Sequence, residues 1–283
     1  FNHFKDMSRW LPWALGKDPN AEDMPLWIEP NTKVDLAKME ACMRDHYEGT
    51  PLSLDQDIAQ GIWNSPYRPT PLKFEVDGKQ CFNERPISTQ QTGFSYIAQL
   101  RSWLPREIGG ILWFGNDDGN MVAYVPIYCS NTERAECFNT PDADAVTFSD
   151  KSAFWVCNWV SNMVYPRYSQ LFPALKEVRD SLDNSYFAAQ KGVEEKAQAL
   201  YATDKAAAVK YLNDYSIQKS DEMIARWRDL AIYLIVKFND MTIKPEKDGK
   251  FLRTSTGLGE RVKRPGYIDY FKRELIKQSG DKF

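Results

Sequence analysis

Residues 94–128 read FSYIAQLRSWLPREIGGILWFGNDDGNMVAYVPIY, and the period of this stretch decides the fold class. Phe94, Tyr96, Ala98 and Leu100 alternate with Ser95, Ile97 and Gln99, so one face of an extended segment is apolar, as a half-buried strand requires. Residues 110–114 and 121–128 continue in extended character on either side of Asn116-Asp117-Asp118-Gly119-Asn120, a polar loop that turns the chain back. Upstream, Leu72-Lys73-Phe74-Glu75-Val76 alternates, Asp77-Gly78 is a hairpin-type turn, and Lys79-Gln80-Cys81-Phe82 begins the return. Strands joined by short turns argue for an antiparallel sheet.

Outward from this sheet the period changes. Leu36, Met39, Met43 and Tyr47 recur at helical spacing behind a cap at Asp35, and Gly49 with Pro51 stop the run. After Ser152, Phe154, Trp155, Val156, Cys157, Trp159, Val160, Met163 and Val164 make a helix apolar on nearly every side, which must be buried. Core stripes follow in the helix beginning at Pro173 (Leu175, Val178, Leu182) and in residues 220–239 (Met223, Trp227, Leu230, Leu234, Phe238). Strands first and helices after give an α+β fold, with helices laid on an antiparallel sheet. Three regions are expected. Residues 1–151 carry a packed irregular start, one helix and the strands; 152–240 are helical and cover the sheet; 241–283 form a polar tail with a short helix near 268–276.

Composition narrows the function. With 43% hydrophobic and 27% charged residues, the 283-residue chain is globular rather than disordered. Thirty-six basic against thirty-nine acidic side chains leave a net charge of -3, without the basic excess a nucleic-acid partner demands. No apolar run reaches the roughly 18 to 20 residues of a membrane span. Five widely spaced cysteines without a C-x-x-C pair signal neither a disulfide framework nor a zinc site, and buried free thiols are expected. Only His3 and His46 could serve a Ser-His-Asp or Cys-His device, and a histidine-rich metal centre is excluded. The chain opens on Phe1, without an initiator Met or a charged-then-apolar leader, so a preceding segment is expected.

Four clusters could carry chemistry. Asp45-His46-Glu48 could act as an acid-base or metal site, but neighbours on a helix point about 100° apart, which favours a helix end with a dipole-compatible histidine. Gly257-Leu258-Gly259-Glu260 lacks the Lys-Ser/Thr ending of a phosphate loop and reads as flexible tail. Gly109-Gly110 reads as tight packing at a strand start. In Asn83-Glu84-Arg85-Pro86-Ile87-Ser88, the Asn and Arg side chains at a strand mouth can hold an oxyanion or a carboxylate, or else form a polar cluster with a structural role.

Taken together, residues 44–50 (RDHYEGT), 83–88 (NERPIS), 94–101 (FSYIAQLR), Leu104-Pro105, 108–113 (IGGILW) and 124–128 (YVPIY) resemble, in order and spacing, the latter half of the PepD-type dipeptidases. These are cysteine peptidases of the N-terminal-nucleophile hydrolase superfamily. The resemblance runs from about residue 20 to about residue 200 and implies part of a four-layer αββα sandwich. In that fold a cysteine exposed as the first residue attacks a peptide carbonyl, with its own α-amino group as base and with no cofactor or metal. The family's amino-terminal cysteine and first strands have no match here, so no catalytic residue is expected within this chain. Asn83 and Arg85 match the Asn-Glu-Arg motif and are the candidates for oxyanion or substrate binding, while Asp45, His46 and Glu48 match a signature that closes the helix.

The partners so implied are dipeptide substrates, the preceding part of the same protein and, through an uncovered sheet, a second copy in a homo-oligomer. Loss of a signal segment would suit a secreted or periplasmic bacterial protein. Two other readings stay open, a non-catalytic carboxyl-terminal module and an amidase or acyltransferase of the same superfamily acting on amino-acid conjugates.

Overall fold

The structure, a computed structural model, describes residues 7–280. In chain order its elements are α1 (Leu11–Ala14), α2 (Leu36–Met43), β1 (Lys73–Val76), β2 (Lys79–Phe82), β3 (Phe94–Leu100), α3 (Arg106–Gly109), β4 (Gly110–Asn116), β5 (Val125–Tyr128), α4 (Ala153–Val164), α5 (Tyr168–Tyr201), α6 (Lys205–Phe238), β6 (Glu246–Lys247), β7 (Lys250–Phe251) and α7 (Asp269–Ser279). The fold is α+β, with small antiparallel sheets and helices.

β3, β4 and β5 form an antiparallel meander in which Trp113 faces both Ile97 and Pro126, and Ile111 faces both Gln99 and Tyr128. This register puts Ser95, Ile97, Gln99, Ile111, Trp113, Pro126 and Tyr128 on one face, as the two-residue period demands. Helices α4, α5 and α6 pack against the strands. On that face Phe187 meets Trp113 edge-on at 5.4 Å, and Ser216 Oγ accepts the Tyr128 amide at 3.2 Å. The opposite face carries Phe94, Tyr96 and Leu100, exposed at 58%, 54% and 76%, beside half-buried Leu112, Phe114 and Ile127. Phe94 stacks on Phe114 at 6.0 Å, Phe138 meets Phe114 edge-on at 5.4 Å, and the β3 side of this surface stays more than half exposed. The hairpin β1–β2 turns through Asp77 and Gly78, both at positive φ, the backbone that an Asp-Gly turn supplies.

The helices follow their sequence signals with instructive departures. Asp35 caps α2 by accepting the Lys38 amide at 2.9 Å. That helix stops at Met43, so Tyr47 (φ 65) lies beyond the stripe on which its spacing had placed it. α5 begins at Tyr168 rather than at Pro173. The proline removes only one backbone donor inside a 34-residue helix, and buried Leu171 and Leu175 hold the turns on both sides of it. α4 buries Ala153, Val156, Cys157, Val160 and Val164 on one side and leaves Trp155 and Trp159 half-buried. α7 spans the terminal helix expected from the sequence.

Three expectations are corrected. The irregular start is not packed throughout, because Trp27 is 85% exposed and Leu26 equally so. Of the five free cysteines only Cys137 and Cys157 are buried, and Cys129 is exposed. Gly257-Leu258-Gly259-Glu260 is not a loose tail but closes a hydrogen-bonded loop, with Thr254 N donating to Leu258 O and Glu260 N to Leu252 O. No described helix is long and apolar enough to cross a membrane.

Candidate functional site

Where α2 ends, Arg44 leaves the helix and its guanidinium enters the protein. Nε donates to Gly119 O and Nη2 to Val122 O, both at 3.0 Å, while Nη1 reaches Glu40 at 3.2 Å and Nη2 reaches Asp183 of α5 at 2.8 Å. The cation also lies 5.1 Å from the Tyr124 ring. Burial, and for Glu40 the facing Asp183 carboxylate, raise the pKa of both acids, against the pull of Arg44 and Arg179. Arg179 gives Nη1 to Asn120 O and Oδ1 at 2.7 and 2.8 Å. One helix end and one long helix thus clamp the β4–β5 loop from two sides.

That loop needs glycine at 119. A Cβ there would stand 2.7 Å from the Tyr124 hydroxyl and 3.2 Å from Met43 O. Beside it, buried Asp118 accepts the hydroxyls of Ser88 and Tyr67 and, at 3.2 Å, the Asn120 amide. Asp117, also buried and at φ 75, accepts Ser161 Oγ of α4 at 2.6 Å and Asn158 Nδ2 at 3.5 Å. Burial pushes the Asp117 carboxyl up to about 7; the Ser161 hydrogen bond works against the rise and the Asp118 charge adds to it. The Tyr67 hydroxyl is held well above the usual tyrosine range by burial and by Asp118.

His46 closes the cluster. Fully buried, it presents Nδ1 to Glu48 Oε1 at 3.0 Å, and its amide donates to Glu48 Oε2 at 2.8 Å. Tyr67 and Tyr168 meet its ring edge-on at 4.8 and 6.4 Å, and Nε2 has no partner among the described residues. Since α2 ends at Met43, Asp45 and His46 are not helical, and the 100° argument that parted His46 from its neighbours lapses. Asp45 instead accepts the Tyr47 amide on its side chain and the Ser88 amide on its carbonyl. His3 lies outside the described residues.

Residues 83–88 enter this cluster only at their end. The last of them, Ser88, is buried at Asp118, but Asn83 is half-buried and Arg85 is exposed, and neither side chain has a polar partner among the described residues. Gly109 and Gly110 serve packing, as their place suggested: a Cβ would meet Arg101 O at 2.6 Å or Cys129 Sγ at 3.0 Å. No group of three or more His, Cys, Asp or Glu among the described residues could hold a metal ion. Burial raises the Cys137 thiol to about 12 and holds the Cys157 thiol well above the usual thiol range, which makes both poor nucleophiles.

Sequence reasoning did not single out Tyr67, Ser88, Asp117, Asp118, Arg179 or Asp183 as a cluster. Two adjacent acids inside an apolar strand–loop–strand run, and Arg179 with Asp183 four apart on the buried stripe of α5, were the available signals.

The model of peptidase family C69 matches residues 3–181, a span that includes every cluster residue named above except Asp183. Dipeptidase A of Lactobacillus helveticus is 23% identical over 211 residues, 75% of this chain and 37% of that protein. A probable dipeptidase of Latilactobacillus sakei is 24% identical over 200 residues, 70% of this chain and 35% of the relative. For probable dipeptidase B of Streptococcus pyogenes serotype M1 the figures are 21% over 150 residues, 53% and 30%. The chain spans about a third of the length of these curated relatives.

Proposed function

We propose that this chain, which belongs to peptidase family C69, is the carboxyl-terminal portion of a cysteine-type dipeptidase with an amino-terminal nucleophile. The observation that carries this reading is the convergence of three of the resembling segments, residues 44–50, 83–88 and 94–101, with the loop of residues 116–124 on one buried polar cluster. Such a cluster fixes the backbone around it, and chemistry requires a fixed backbone. Neither buried thiol suits attack. The family resemblance implies a nucleophile on a cysteine that precedes these residues.

Its thiol loses a proton to its own α-amino group and the sulfur attacks the dipeptide carbonyl carbon, giving a tetrahedral oxyanion. Collapse breaks the C–N bond, and the departing amine takes the proton back from the α-ammonium. Water then hydrolyses the thioester and releases the second amino acid. Asn83 and Arg85 are the donors this chain would offer to the oxyanion or substrate, on a segment tethered through Ser88 to Asp118 and Asp45. The uncovered apolar face of β3–β4–β5 supports the sandwich reading, in which a second sheet packs on Phe94, Tyr96 and Leu100.

Ninhydrin detection of amino acids released from a dipeptide panel tests the proposal. The longer protein should hydrolyse dipeptides and lose turnover when its amino-terminal cysteine is alkylated. Hydrolysis by the pure 283-residue chain would put the nucleophile elsewhere.

A further inference from the structure

Arginine is charged at every physiological pH, so a buried guanidinium needs acceptors for its N–H groups. Arg44 and Arg179 have partners on all three nitrogens. Arg101 does too, through Gly109 O, Ile108 O and Glu194. Arg68 differs. At 1% exposure it gives only Nη2, at 3.0 Å, to Asp57, whose side chain is 59% exposed, and both Nε and Nη1 are buried without a partner.

A second incomplete guanidinium borders the same stretch of chain. Arg167 donates Nη1 to Phe238 O and stands 5.5 Å from the Trp63 ring, with Nε and Nη2 unpaired. Residues 63–68 and 165–167 are joined there through the Tyr67 and Tyr165 rings, 4.6 Å apart, and both tyrosines face Asp118. Among the described residues, Arg68 and Arg167 are the two arginines with unpaired buried donors.

We propose that the buried Arg68 guanidinium is a carboxylate-binding site of this protein. A carboxylate supplies the charge and the two acceptor oxygens that the unpaired N–H groups require. Residues 64–72 hold no helix or strand, so no backbone ladder has to break for the guanidinium to be reached. Assigning that carboxylate to the free end of a dipeptide rests on the function proposed above, whereas the site itself does not.

Arginine side-chain NMR of the 283-residue chain tests the site, with the Arg68 Nε–H signal identified by its loss in Arg68→Lys or, if that variant fails to fold, in Arg68→Met. Acetate should shift the signal and chloride at equal ionic strength should not. Dialanine should shift it about tenfold to a hundredfold more tightly than alanylalanine amide, the ratio a charged hydrogen bond commands. A response to acetate but not to dialanine keeps the carboxylate site and removes the dipeptide as its source. No response to either, or equal responses to the acid and its amide, would overturn the proposal.

Discussion

Arg44 Nη2 stands 2.8 Å from Asp183 Oδ2, an ion pair that ties the end of α2 to the middle of α5 through the interior. Both side chains are almost wholly withdrawn from water, and Glu40 shares the same guanidinium. Removing one partner of such a pair strands the others, and the cost is their uncompensated desolvation rather than the attraction lost. Arg44→Met should therefore destabilise the fold by about 3 to 5 kcal/mol in urea titration. Adding Glu40→Gln and Asp183→Asn should recover part of that loss. No recovery would mean that Arg44 acts mainly through Gly119 O and Val122 O.

Asp117 predicts a pH dependence. Its carboxyl titrates near 3.8 when the chain is unfolded and near 7 when folded. Between these values the native state holds a proton that the unfolded state lacks, so stability falls as pH rises, by at most about 1.4 kcal/mol per pH unit from this group. Glu40 and Asp183, also raised, act in the same direction. Asp117→Asn should flatten the slope of urea midpoints from pH 5 to 7. An unchanged slope would show that Asp117 is already ionised in the folded protein.

Gly119→Ala tests the close approach at the β4–β5 loop. The new methyl would overlap the Tyr124 hydroxyl, which is itself fixed by Ser95 Oγ at 2.7 Å, and would crowd Met43 O. A loss of about 1 to 3 kcal/mol is expected, the cost of overpacking a filled interior. Thermal melts of Gly119→Ala beside Gly192→Ala, where a Cβ meets nothing, separate this crowding from any general effect of replacing glycine.

Much of the fold was legible because it rests on local period. The alternation of Phe94, Tyr96, Ala98 and Leu100 and the Asp77-Gly78 turn depend on neighbours in sequence, and the structure keeps the strand and the turn but leaves that apolar face of β3 exposed and turns Ser95 inward. The cluster was not legible, since its partners come from distant segments: Ser88 with Asp118, Tyr124 N with Asp183, Arg44 with Gly119 O. Glu48 shows the limit well. A helical wheel parts it from His46, but once α2 ends at Met43 the turn brings its carboxylate onto both the His46 ring and the His46 amide.

Arg85→Ala in the complete protein should lower dipeptide turnover about ten- to hundredfold while leaving the melting curve unchanged. The side chain is exposed and has no polar partner among the described residues, so its loss costs the fold nothing visible. Wild-type kinetics would reduce Arg85 to a surface residue of the segment that ends at Ser88.

The outer face of β3–β4–β5 carries the last prediction. Phe94, Tyr96 and Leu100 stand on one strand at alternate positions, each more than half exposed, and half-buried Leu112, Phe114 and Ile127 extend this apolar face toward Phe138, which meets Phe114 edge-on. A monomer rarely leaves so continuous a patch to water, and β3 has a free edge besides. The inner face is filled by α4, α5 and α6, so those helices cannot cover the outer one without vacating the core. The 283-residue chain should therefore associate at tens of micromolar in sedimentation and bind a hydrophobic dye. Tyr96→Lys combined with Leu100→Lys should weaken both behaviours without lowering the melting temperature, because neither side chain contributes to the core. A monomer that ignores the dye would mean that residues of this chain cover the sheet in solution, and the second layer proposed for the sandwich would lose its support.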